Sequence, residues 1–179
     1  MFILGLSGIG KTTTSQALAD RHSLRHIDMD HTNCFERMGL PSTWDSDLKN
    51  VDFAVLAPHI LNKLKVGDEG AVLSFPTDYR FDSEQIAAAA AHGISIIILW
   101  GPLEGCWESR RKRQESRHKG TPSKLKYYTK NQATHELYSH DKFATHRVQA
   151  LNVDGSRPPV DHVLAESAMR VWHVSESDG

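Results

Sequence analysis

Gly5-Leu6-Ser7-Gly8-Ile9-Gly10-Lys11-Thr12 satisfies the pattern G-x-x-x-x-G-K-[ST] at every fixed position. It stands where that pattern has physical meaning. The apolar run at 2–6 reads as a strand, and residues 11–21 read as a helix. In such a loop glycines let backbone N–H groups converge on phosphate oxygens, a lysine places a point charge on the β- and γ-phosphates, and a hydroxyl ligates magnesium. Gly8, Ile9 and Gly10 are therefore expected at the phosphates, Lys11 at the β- and γ-groups, Thr12 on the metal and Thr13 toward the α-phosphate. The first ligand implied is a nucleoside triphosphate, ATP, with Mg2+. A glycine-rich turn capped by a helix is the alternative without chemistry, and the strand-loop-helix placement weighs against it. The loop alone leaves open whether the γ-phosphoryl group goes to water or to a second substrate.

Beyond the loop, strands and helices alternate. Strands are expected at 25–29, 71–75, 94–100 and 148–153, the fourth of the five apolar along nearly its whole length. Between them, helices are expected from Val51 to about Lys65 and closed by Gly67, over 84–91 behind Asp82 or Ser83 and closed by Gly93, from about 103 to 117, and over 124–139. A last helix opens at Pro158-Pro159 and runs to about Val171. This order predicts a single α/β domain over residues 1–179, three layers deep (α/β/α), with a five-stranded parallel sheet whose ligands bind beyond the carboxyl ends of the strands.

Composition agrees with one ordinary globular domain: 179 residues, 39% apolar, 24% charged and 8% aromatic. Cys34 and Cys106 form no CxxC, which excludes a zinc knuckle and a thioredoxin-type motif and fits a reduced, cytoplasmic setting. No apolar run approaches the roughly 20 residues that span a bilayer, and no basic stretch precedes 2–6 as a secretory signal requires. The net charge of −1 hides an asymmetry. Residues 110–130 hold nine basic side chains and one acid, Glu115, for +8, and the rest of the chain carries −9. Such an island calls for an anionic partner, a solvated segment, or both.

Asp28 and Asp30 end the second expected strand, and alternation along a strand turns both to one side. Transfer of a phosphoryl group to an alcohol needs a carboxylate to accept the hydroxyl proton and another to organise the metal. A solvated strand end or an N-cap is the competing reading of so common a pattern.

The loop followed by Asp28-Met29-Asp30 resembles the small P-loop kinases of the shikimate kinase, gluconate kinase and adenylate kinase group, whose shared core is a five-stranded parallel sheet between helices. The resemblance implies a P-loop NTPase fold and transfer of the γ-phosphoryl group of ATP to a small-molecule hydroxyl. It makes Asp28 the metal-side acid and Asp30 the general base, and places acceptor selection in about 31–66. Arg37-Met38-Gly39-Leu40-Pro41 with Asp45 and Asp47 is similar to a gluconate kinase segment, but the spacing departs from it and sugar-acid specificity is not carried over. Leu73-Ser74-Phe75-Pro76-Thr77 is similar to the adenylate kinase D-G-F-P-R stretch without its acid or its arginine, which counts against a nucleoside monophosphate acceptor. Asp78 and Arg80 follow at once as acceptor-side candidates, with a plain loop as the equal alternative.

Kinases of this group introduce a lid with R-x-x-x-R, the spacing of Arg113 and Arg117. By that resemblance a lid occupies about 110–130, with Arg113 and Arg117 closing over the transferring group and Arg110 and Arg111 competing for the same role. Arg157, in a turn after the fifth strand, is the expected adenine-side contact. A polynucleotide or nucleotide kinase is the runner-up: the lysines of the island, with Tyr127 and Tyr128 among them, would hold a nucleic acid strand by phosphate contacts and stacking. A non-catalytic ATP-binding regulatory module is the third class. The eleven histidines show no metal-binding spacing and read as mostly exposed, with His31 beside Asp30 nearest the site; Cys106 and Trp107 read as packing residues.

Overall fold

The computed structural model describes residues 1–30, 33–37, 40–45, 51–63, 70–117, 120 and 122–176. Its elements run β1 (Phe2–Gly5), α1 (Lys11–Arg21), β2 (Arg25–Asp28), α2 (Cys34–Arg37), a 3₁₀ turn at Ser42–Asp45, α3 (Phe53–Lys63), β3 (Ala71–Ser74), α4 (Ser83–Ala91), β4 (Ile96–Trp100), α5 (Leu103–Ser116), α6 (Lys124–Ser139), a 3₁₀ stretch at Asp141–His146, β5 (Arg147–Gln149) and α7 (Val160–Glu176). The sheet order is β2-β3-β1-β4-β5 and every pairing is parallel. The strand that leads into the glycine-rich loop is therefore central, flanked by β3 and β4.

Side-chain alternation splits the strands between two cores. On one face Phe2, Leu4, Leu73, Ile96 and Ile98 pack with Phe53, Leu56 and Ile60 of α3 and Ile86 and Ala89 of α4. On the other, Ile3, Val72, Ile97, Leu99 and Val148 pack with Leu18 of α1, Cys106 and Trp107 of α5, and Val163 and Leu164 of α7. Both faces are thus covered, as the near-continuous apolar run of β4 requires. α6 reaches both cores, with Tyr127 in the second and Tyr138 in the first.

Local chemistry sets the element ends. The Asp82 carboxylate accepts from the Gln85 N–H at 2.9 Å while Gln85 Oε1 accepts from the Asp82 N–H at 3.0 Å, a reciprocal cap that selects Asp82 over Ser83. β4 begins at Ile96 rather than 94 because the Ile94 N–H is tied back to Ala89 O of α4 at 2.9 Å. β5 is shorter and earlier than the expected 148–153. The amides of Ala150 and Leu151 both turn onto Trp100 O, and Asn152 N–H bonds to Ser156 O, so the chain has already left the ladder. The expected end of α3, at Lys65 and Gly67, lies outside the described residues, as does His31. Among the described residues no helix is long and apolar enough to cross a membrane.

The carboxyl edge of the sheet rests on an aromatic cluster. Phe75, just past β3, is 1% exposed and has ring centroids at 4.8 Å to Phe2, 5.6 Å to Phe81 and 5.9 Å to Tyr79. Phe75→Ala is expected to lower the unfolding free energy by about 3–5 kcal/mol, read as a fall in the urea midpoint with the slope unchanged. A loss below about 1 kcal/mol would contradict tight packing at this edge.

Candidate active site

The loop between β1 and α1 can be followed one carbonyl at a time. Lys11 Nζ donates to Gly5 O at 2.9 Å and to Leu6 O at 3.0 Å, and the Ile9 N–H also donates to Leu6 O. The Tyr127 hydroxyl donates to Ser7 O at 2.7 Å. Arg157 takes the next two: Nη2 donates to Gly8 O and Nη1 to Ile9 O, both at 2.7 Å. Gly10 O accepts the first helical bond, from Thr14 N–H. Every carbonyl from Gly5 to Gly10 is thereby held. The amides of Ser7 and Ile9 are bonded too, to Asn131 Oδ1 and Leu6 O. Those of Gly8, Gly10, Lys11, Thr12 and Thr13 have no partner among the described residues. Gly10 occupies the N-cap with φ 107° and offers no side chain, so the positive end of α1 opens directly onto the loop. Carbonyls held and amides open make an anion cradle.

Two cavities meet at this loop. One, of about 230 Å³, lies between the loop, Ser109 and Arg113 of α5, and an apolar wall of Ala150, Pro158, Val160 and Val163. The other, of about 200 Å³, is bounded by Lys11, Thr12, Asp28, Asp30, Ser74, Pro76, Thr77, Arg110, Arg113 and Lys130. Gly8, Gly10, Thr13 and Arg113 line both. Lys11 turns its ammonium inward, and burial pushes it down to about 8, with the Asp30 carboxylate the strongest opposing charge. Asp28 and Asp30 both reach the second cavity, and Met29 between them is buried, as strand alternation expects. Asp28 Oδ1 accepts from the Asp30 N–H at 2.9 Å, and Asp28 Oδ2 accepts from the Thr12 hydroxyl at 3.4 Å. The pair of acids, the loop threonine and the lysine thus converge on one space.

The basic stretch divides. Arg110 reaches the loop and donates to Ser7 Oγ. Arg111 lies along its own helix, bonded to Glu108 and Glu115. Arg113 is exposed as a residue yet lines both cavities; desolvation of its guanidinium, then the charges of Arg110 and Arg117, hold it below the ordinary arginine range. Arg117 follows at the end of α5. Lys124 pairs with Glu104 at 2.7 Å and Lys130 with Asp78 at 2.9 Å, while Lys119 lies outside the described residues. Of the two tyrosines expected as a stacking surface for nucleic acid, Tyr127 is buried and Tyr128 half-buried. Tyr127 is 4% exposed with its hydroxyl on the loop, and the Tyr128 hydroxyl donates to Glu104.

The Arg157 guanidinium, expected beside the adenine, bonds to the loop carbonyls and to Ser109 Oγ, and the residue also lines the first cavity. His26 is not a free surface side chain: it sits between Gln16 Oε1 and Ser74 Oγ, 3.1 Å from each, and burial lowers its pKa. His135 stacks on Trp100 at 4.7 Å. Cys106 is a packing residue, its thiol pushed up to about 12 by burial. Sequence reasoning missed Asn131, which is 1% exposed; its only signal was the four-residue spacing from Tyr127, which puts both on one helical face.

No protein-family model matches the chain, and no curated protein matches it in sequence. Among solved structures it is similar to a gluconokinase from Sinorhizobium meliloti, with TM-score 0.54 and 14% identity over 98% of this chain and 93% of that one. It is also similar to a shikimate kinase from Aquifex aeolicus, with TM-score 0.54 and 18% identity over 97% and 96%. A sugar kinase from a Janibacter species follows, with TM-score 0.52 and 18% identity over 98% and 95%. The chain therefore has the α/β fold of the small P-loop kinases of the shikimate and gluconate kinase group.

Gly8 is the tightest point of the cradle. It has φ +93°, and a Cβ there would lie 2.3 Å from Cys106 O of α5. Gly8→Ala must push the loop off α5, and titration calorimetry is expected to find MgATP affinity reduced at least about tenfold. Affinity equal to wild type would contradict the close approach.

Proposed function

We propose that the chain is an ATP- and Mg2+-dependent kinase that transfers the γ-phosphoryl group to a hydroxyl of a small metabolite. The observation that carries this reading is the junction of the two cavities at the open loop amides and Arg113: an apolar-walled space on one side, and on the other a polar one where Lys11 meets the paired carboxylates Asp28 and Asp30. The apolar wall of the first cavity suits a nucleobase, and the polar second cavity suits a hydroxyl-bearing acceptor.

In this reading the loop amides and Lys11 bind the triphosphate. Thr12 and Asp28 offer hard oxygen donors side by side, the chemistry Mg2+ prefers, and would hold the ion together with the phosphates. When bound, Mg2+ neutralises charge on the β- and γ-phosphate oxygens. Asp30 accepts the proton as the acceptor oxygen attacks the γ-phosphorus; the bond from phosphorus to the β-γ bridging oxygen breaks and ADP leaves. Lys11 and Arg113 stabilise charge on the transferring oxygens, and Arg110 and Arg117 add to the same field. The lid corresponds to about 110–130, where the 117–123 connection joins α5 to α6, and closing it would exclude water. Arg157 serves the nucleotide by holding the loop. Acceptor choice falls to 31–66, of which 31–32, 38–39, 46–50 and 64–66 lie outside the described residues.

Asp30→Asn is expected to lower kcat by about 10²-fold or more while MgATP affinity stays within about twofold, because general-base catalysis contributes on that scale and the carboxylate does not touch the loop. The assay is γ-labelled ATP with a metabolite pool, followed by kinetics on the compound that gains phosphate. Undiminished transfer by Asp30→Asn would overturn the base assignment. Wild-type protein that binds ATP and labels no compound would favour a regulatory module.

A further inference from the structure

We propose that Tyr127 and Asn131 of α6 are positioning residues for the phosphate loop, acting on it through the backbone of Ser7. The inference rests on the kinase reading above for its functional consequence, but its geometry stands apart from any bound ligand. The Tyr127 hydroxyl donates to Ser7 O at 2.7 Å, and Asn131 Oδ1 accepts from the Ser7 N–H at 3.0 Å. The Asn131 side chain is itself oriented, because its Nδ2 donates to Tyr127 O at 2.8 Å and leaves only the oxygen for Ser7. The two residues lie 120 and 124 positions from Ser7, outside the loop motif.

The consequence follows from peptide geometry. A trans peptide points its C=O and N–H in opposite directions. The carbonyl of Ser7 shares its peptide with the amide of Gly8, so a hydroxyl that holds Ser7 O against α6 aims the Gly8 N–H the other way, into the cradle. The amide of Ser7 shares its peptide with Leu6 O in the same manner. Holding Ser7 N–H on Asn131 turns Leu6 O toward Lys11 Nζ and Ile9 N–H. Without these bonds, nothing intrinsic to Gly8 keeps the Ser7–Gly8 peptide from turning over, since glycine accepts either sign of φ. Turned over, it would present a carbonyl oxygen to phosphate in place of an amide. The site is also dry enough for the bonds to matter: Tyr127 is 4% and Asn131 1% exposed, and the Tyr127 ring is braced by Trp107 at 5.4 Å.

The test uses Tyr127→Phe, which keeps the ring and removes only the hydroxyl, with Tyr128→Phe as the matched change one residue along. Each full-length protein is read three ways: hydrogen exchange of the ligand-free loop peptide, MgATP affinity by calorimetry, and thermal midpoint. Tyr127→Phe is expected to accelerate exchange at the loop amides and to weaken MgATP binding, each by about tenfold, the scale of one buried polar group left unpaired. Tyr128→Phe leaves both at wild-type values. Asn131→Leu, of similar volume, is expected to act in the same direction as Tyr127→Phe. Tyr127→Phe with a lowered thermal midpoint but wild-type loop exchange and wild-type affinity would overturn the proposal, since a packing role alone moves only the midpoint. If the wild-type protein binds no MgATP, the kinase reading fails while loop exchange still decides the role of Tyr127.

Discussion

The capture of the carbonyl groups from Gly5 to Gly10 is the constraint on which the rest of the site depends. A backbone that turns its amides toward an anion must send its carbonyls somewhere, and a buried carbonyl without a donor is costly. Here the donors come from three parts of the chain: Lys11 from the loop itself, Tyr127 from α6 and Arg157 from the turn before α7. The fold brings them together because β1 is central in the sheet, so elements following β4 and β5 pass over its carboxyl end. The close approach of Gly8 to the backbone of α5 belongs to the same arrangement.

The concentrated positive charge acquires a structural division of labour. Arg111, Lys124 and Lys130 have carboxylate partners and stabilise helices and their junctions. Exposed as they are, these pairs are screened by water and contribute little to stability. Arg110 and Arg113 face the cavities, as Lys130 does beside its partner, and with Arg117 the two arginines form a group of like charges whose mutual repulsion an anion would relieve. The segment is thus a helix pair packed on the core by Cys106, Trp107 and Tyr127, with Arg110 and Arg113 of α5 and Lys130 of α6 lining the cavities.

Much of this was legible in the residues, for physical reasons that also mark the limit. The loop motif, the parallel alternation and the Asp28–Asp30 pair are local patterns, and local sterics and strand alternation fix them. The short β5 was not legible, because the second bond to Trp100 O that ends it depends on where Gly101 lets the chain pass. That Arg157 also holds two loop carbonyls was not legible, because nothing in its neighbourhood in sequence reveals that they lie within reach. The bonds of Tyr127 and Asn131 to Ser7 were not legible, since their partner is more than a hundred residues away. The half-buried place of His26 was hidden for the same reason, its partners Gln16 and Ser74 belonging to α1 and β3.

The loop is already arranged as an anion cradle, its carbonyls held and its amides open. That arrangement is tested most directly by titrating ¹⁵N-labelled protein with MgATP and following the amide resonances. The account predicts that Gly8, Gly10, Lys11, Thr12 and Thr13 shift together and strongly, while Ser7 and Ile9, whose amides already have partners, shift least. Saturating MgATP that leaves those open amides unmoved would contradict it.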